Sequence, residues 1–120
     1  MRLMTLVVAA GLLWPASSFS LDQTTSYKTS NELYEDCTAA SGSPEMAFCT
    51  GYVLGLSDIL RTLKLECLPK DTAVGQIVDV VIDYLHDHPA ARYYSASSAA
   101  GLALMKAFVC QYNAPPDRPK

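Results

Sequence analysis

Four cysteines and two histidines are the residues of this sequence with the widest range of possible chemistry. Cys37, Cys49, Cys67 and Cys110 contain no Cys-x-x-Cys pair, and the histidines lie far along the chain from most of them. That spacing argues against a zinc site. An even number of cysteines in a small exported chain points to two disulfides. His86 and His88 are two residues apart, with Asp83 and Asp87 nearby. A His-x-His with neighbouring carboxylates can bind a transition metal. The preferred reading is plainer: these are solvent-facing polar groups at a helix C-terminus, where the dipole favours a cation. Catalysis needs a nucleophile, a base and an orienting group. The cysteines are assigned to disulfides, and the serines fall at caps or at the polar start of the last helix. The acid pairs Glu35/Asp36 and Asp79/Asp83 lie on solvated helix faces. There is no Gly-rich phosphate loop and no His-Glu-x-x-His. The sequence predicts a protein that is not an enzyme and needs no cofactor or metal. What remains is binding. The stretch from His86 to Ser95 carries His86, His88, Arg92, Tyr93, Tyr94 and Ser95. Tyr and Arg are enriched at interface hot spots. Two readings stand: the tyrosines close the core, or they form a rigid loop that enters a concave site on another protein.

These residues need elements to place them, and the chain divides clearly. Met1–Ser20 has one positive charge, Arg2, an apolar run from Leu3 to Trp14, and then small residues. That is the pattern of a secretory signal peptide, with cleavage after Ser18 or Ser20. The run is shorter than the roughly 20 residues needed to span a bilayer. No second long apolar run follows, so a soluble mature protein with no membrane contact is expected. Residues 21–29 read as a flexible arm, 30–110 as one helical domain, and 111–120, with Pro115, Pro116 and Pro119, as a disordered tail. Without Arg2, 8 basic residues stand against 12 acidic ones. With no basic cluster, nucleic acid is not an expected partner.

Within the domain the longest pattern is Ser43 to Lys64. Ser43 is a good N-cap, Pro44 suits the first helical position and Glu45 the first turn. Phe48, Tyr52, Leu56, Ile59, Leu60 and Leu63 recur at helical spacing. Gly51 and Gly55, four apart, cost about 1 kcal/mol each relative to alanine. They predict a close helix approach, with Ala99, Ala103 and Ala107 as the natural partner face. A capping box, Thr29 to Glu32, starts a shorter helix to about Ala40. Asp71 is the best cap for a third helix, whose stripe is Val74, Ile77, Val78, Val81, Ile82 and Leu85. Pro89 stops it, and the stretch to Ser95 is a loop or broken turn. Ser95 then caps a fourth helix running to Cys110. The predicted class is all-α: a small four-helix bundle stapled by two disulfides.

Helix geometry separates the three possible cysteine pairings. Cys49 and Cys67 flank most of a helix nearly 30 Å long at about 1.5 Å per residue. Bridged Cα atoms lie within about 7 Å. Cys37 and Cys49 are each about six residues from the turn at Ser43, and face each other in an antiparallel hairpin. Cys67 precedes the third helix and Cys110 ends the fourth. The prediction is Cys37–Cys49 with Cys67–Cys110; the runner-up is Cys37–Cys110 with Cys49–Cys67.

The run Phe48-Cys49-Thr50-Gly51-Tyr52-Val53-Leu54-Gly55 resembles the signature of the Rap/Tai family, the resistance-associated immunity proteins of type VI secretion. Further matches follow in order: Cys67-Leu68-Pro69, Gly75-Gln76-Ile77-Val78, Tyr84-Leu85, His88-Pro89, Ser95-Ala96, Ala103-Leu104, Ala107-Phe108 and Cys110. The resemblance covers about Cys37 to Cys110. Val109 departs from it, because the family pattern usually reads Phe-Pro-Cys there. The resemblance implies a periplasmic, all-helical protein, commonly a homodimer. Such a protein binds a papain-like peptidoglycan amidase toxin and plugs its substrate cleft, here with the His86–Ser95 loop. The alternative function is a periplasmic helical stress protein or acid chaperone.

Overall fold

The computed structural model describes residues 27–111. The expected signal peptide, most of the expected arm and nearly all of the tail lie outside them. Four α-helices follow one another: α1 (Ser30–Cys37), α2 (Pro44–Thr62), α3 (Val74–Asp87) and α4 (Ala96–Ala107), with a 3-10 turn at Pro89–Tyr93 between α3 and α4. There is no strand among the described residues. None of the described helices is long and apolar enough to cross a membrane.

The helix starts follow local chemistry. At α1 the Glu32 amide donates to the Thr29 hydroxyl at 3.2 Å, and the Thr29 amide donates to the Glu32 carboxylate at 2.8 Å. The Thr29 amide, and then the Thr29 hydroxyl, which also donates to that carboxylate at 2.8 Å, pull the Glu32 carboxyl below its ordinary value. Ser43 caps α2 by accepting from the Met46 amide at 3.2 Å, with Pro44 at the first position. Gly42, at φ +80°, makes the turn between them.

The ends differ more from expectation. α1 stops at Cys37, where the Thr38 hydroxyl donates back to the Tyr34 carbonyl at 2.8 Å and offers the backbone an alternative to another turn. α3 starts at Val74, not at Asp71, which sits in the left-handed region at φ 65° inside the Pro69–Thr72 turn. Ala73 takes the cap position. It has no capping side chain, and Gln76 Oε1 accepts from its amide at 2.8 Å. α4 ends at Ala107, so Cys110 is reached by non-helical chain.

The core is Leu33 and Cys37 of α1; Cys49, Val53 and Leu60 of α2; Ile77, Val78, Val81 and Leu85 of α3; and Ala96, Ala99, Ala100, Ala103 and Leu104 of α4. Both disulfides are the predicted ones: Cys37–Cys49 with Cα atoms 5.1 Å apart, and Cys67–Cys110 at 4.9 Å. The first explains a correction to α2. Cys49 must face α1, so the buried row is Cys49, Val53, Ser57 and Leu60. Phe48, Ile59 and Leu63, expected inside, are left exposed. The same rotation turns Gly51 and Gly55 outward, where a Cβ would meet nothing within 4 Å. The expected contact between these glycines and the α4 alanines does not form. Ala99 and Ala103 are buried, Ala107 is exposed, and α4 packs through its small side chains on α3, α1 and α2.

Candidate functional site

The His86–Ser95 segment is built from the end of α3, the 3-10 turn and the start of α4. His88 leaves the helical conformation at φ −121°, ψ 71°, and Pro89 opens the 3-10 turn. Tyr94 is extended, and Ser95 caps α4 by accepting from the Ser98 amide at 3.3 Å. The segment is tied to the start of α1 by an isolated antiparallel bridge between Thr29 and Ser95. In it the Ser30 amide donates to the Tyr94 carbonyl and the Ala96 amide to the Lys28 carbonyl, each at 2.9 Å. The Ser30 hydroxyl, fully buried, adds a bond of 2.9 Å to the Ser95 carbonyl. Lys28 pairs with Asp36 at 2.6 Å, which raises the lysine above its ordinary value. The last residues of the expected arm are therefore fastened to the bundle.

Arg92 faces inward. Its Nε donates to the Leu85 carbonyl at 2.7 Å, a terminal NH2 reaches the His86 carbonyl at 3.4 Å, and the guanidinium carbon lies 4.0 Å from the Tyr34 ring centroid. It satisfies carbonyls in the last turn of α3, where helix acceptors lack partners and a cation is favoured. It also joins that turn to α1 by a cation–π contact. Arg92 positions the segment.

The largest apolar side chains presented outward are the tyrosines. Tyr93 is 90 % exposed and Tyr94 66 %. Of the two readings of this pair, closing the core is excluded. Beside Tyr93 a groove of about 590 Å³ is lined by Asn31, Pro89, Ala90, Arg92 and Tyr93. Asn31 and Tyr34, both on α1, are the parts of this surface that sequence reasoning missed. Asn31 was accounted for by the helix start, and nothing local ties Tyr34 to a residue nearly sixty positions later.

The two histidines do not work together. His86 Nδ1 lies 3.0 Å from the Asp87 carboxylate, and both side chains are exposed. His88 stacks on Tyr84, with ring centroids 4.2 Å apart. Its Nδ1 is 2.8 Å from the Tyr84 carbonyl, which can only accept, so that nitrogen is the donor. Among the described residues no three His, Cys, Asp or Glu side chains gather into a metal-binding group. The ligand set imagined from His86, His88, Asp83 and Asp87 is not assembled.

The geometry is that of a surface for contact: two projecting aromatic side chains and a neighbouring groove on a braced turn. No curated protein and no solved structure matches the chain. The model of one family, the Rap1a immunity proteins, matches residues 29–110, from the α1 cap to the last cysteine. That span is most of the sequence and contains every element described above, so the chain belongs to the Rap1a immunity protein family.

Proposed function

We propose that this protein is a periplasmic immunity protein that binds a type VI secreted peptidoglycan amidase and occludes its active-site cleft. Membership of the Rap1a immunity family carries the reading. The signal-peptide pattern of Met1–Ser20 supports delivery to the periplasm, an oxidising compartment suited to two disulfides. The inserted element is the Pro89–Tyr94 turn, led by Tyr93 and Tyr94, with His86 and His88 at its base and Ser95 at its far end. Aromatic anchors of this kind contribute most when a partner's pocket desolvates them. The braces from Arg92 and the Thr29–Ser95 bridge support preorganisation, which reduces the ordering cost of binding.

The protein acts as a homodimer in this reading. Exposed Phe48 and Ile59 flank Gly51 and Gly55 on one face of α2, an apolar strip that a second copy can cover.

Mixing the mature chain with a type VI secreted amidase that it binds should abolish amide hydrolysis at an equimolar ratio. Tyr93→Ala should weaken binding by about 2 kcal/mol, roughly thirtyfold in Kd by calorimetry. Full inhibition with unchanged affinity in both Tyr93→Ala and Tyr94→Ala would move the inhibitory surface elsewhere.

A further inference from the structure

Glu66 lies in the connection between α2 and α3 and is only 2 % exposed. Among the described residues neither of its carboxyl oxygens has a hydrogen-bond partner, and the same holds for the hydroxyl of Ser57, buried in the inner row of α2. A buried charge left this way is expensive, and such a group normally becomes neutral. The backbone on both sides of Glu66 is fixed. The Leu65 amide donates to the Leu60 carbonyl at 2.8 Å, and the Cys67 amide to the Phe108 carbonyl at 2.9 Å. Leu65 and Cys67 face solvent while the side chain between them points in.

Among the described residues the charged groups that act on Glu66 are both on α2. Arg61 favours the carboxylate and Asp58 opposes it, and these two exposed residues pair with each other. From the end of α4 the described residues bring the Phe108 carbonyl and the Cys67–Cys110 disulfide to this segment, neither of which carries charge. Burial dominates and pushes the Glu66 carboxyl above the ordinary glutamate value of 4.5. The Ser57 hydroxyl, facing it without reaching hydrogen-bond geometry, pulls it down less.

We propose that the Leu63–Leu68 connection is an acid-engaged latch: the neutral Glu66 side chain lies closed against Ser57, and ionisation opens the segment while Cys67–Cys110 keeps it tethered. The sign follows from proton binding. The closed state binds the proton more tightly than the open one. The latch is therefore most stable below the ordinary value of 4.5 and weakens as pH rises through the raised value. Opening uncovers Leu60, now 7 % exposed, next to Leu63 and Leu65, which already face solvent.

The test uses the mature, disulfide-intact protein. Carbon-13 NMR should place the Glu66 carboxyl midpoint above the ordinary glutamate value. Hydrogen exchange at the Leu65 and Cys67 amides, corrected for intrinsic rate, should be at least about tenfold faster at pH 7.5 than at pH 5. Glu66→Gln should abolish that difference and stay protected at both pH values. A carboxyl midpoint at or below 4.5 overturns the proposal, as does an unchanged pH dependence in Glu66→Gln. Should that variant not fold, the wild-type carboxyl titration decides alone.

Discussion

The two ends of α4 are held by different kinds of force. At its N-terminal end the chain is sewn down by directional, non-covalent bonds. The Thr29–Ser95 bridge, the Ser30 hydroxyl and the Arg92 clamp converge there from α1 and α3. At its C-terminal end one backbone bond, Cys67 to Phe108, accompanies a disulfide whose cysteines are not fully buried. That end also carries a non-glycine residue at positive φ, Lys64, and the unpartnered Glu66 and Ser57. The difference teaches where a covalent bond is needed. The presented turn sits where weak bonds are numerous and mutually consistent. The disulfide sits where local choices conflict, and it holds shut a connection that its own side chains disfavour.

Replacing both Cys67 and Cys110 with serine tests this most severely. A bridge across a separation of 43 residues restricts the unfolded chain by about 4 kcal/mol in the loop-entropy account. The pair variant should lose about that much in urea unfolding, and hydrogen exchange should rise first around residues 64–68. If exchange rises equally at the Thr29–Ser95 bridge, the two ends of α4 are not independent. Arg92→Ala probes the other end with a smaller effect. It leaves the Leu85 carbonyl without its donor and removes the contact over Tyr34, a loss of about 2 kcal/mol. Arg92→Lys should not restore it, because a point ammonium cannot stack on Tyr34 and serve two carbonyls as the planar guanidinium does. A variant with unchanged stability but weakened partner binding would instead make Arg92 a contact residue.

Much of the fold was legible because it is written in local patterns. The Thr29–Glu32 box, Ser43-Pro44 and Ser95 each state a helix start in the residues themselves. The cysteine pairing followed from helix length and the antiparallel placement that short turns impose on neighbouring helices. The rotation of α2 was not legible, because that helix is apolar on several sides. Rows through Phe48, Tyr52 and Leu56, or through Cys49, Val53 and Leu60, both satisfy a helical period. Only the partner of Cys49 on α1 chooses between them. Asp71 was misread as a cap because cap preference says nothing about a left-handed φ in the preceding turn. At the candidate site the exposed tyrosines were visible in the sequence but the role of Arg92 was not. Its acceptors are backbone carbonyls of α3, and a carbonyl has no letter in the sequence. Glu66 drew no notice because a lone acid in a short connection is normally solvated.

The smallest effect belongs to Lys64 and bears on why the α2–α3 connection is strained. After Thr62 the chain closes α2 with the Lys64 amide on the Arg61 carbonyl at 3.0 Å and the Leu65 amide on the Leu60 carbonyl at 2.8 Å. This is the Schellman arrangement, which places one residue in the left-handed region, a position usually held by glycine. Lysine occupies it here at φ 58°. A Cβ in that conformation costs about 1 kcal/mol, while glycine adds freedom to the unfolded chain worth about half as much. Lys64→Gly should therefore raise stability by about 0.5 kcal/mol, read as a small upward shift in the urea midpoint with unchanged slope. The same substitution should slow exchange at Leu65, since relieving the turn favours the closed connection. A gain in stability without slower exchange at Leu65 would separate the backbone strain at Lys64 from the opening of the segment. Burial of the unpartnered Glu66 and Ser57 side chains would then be what acts against closure.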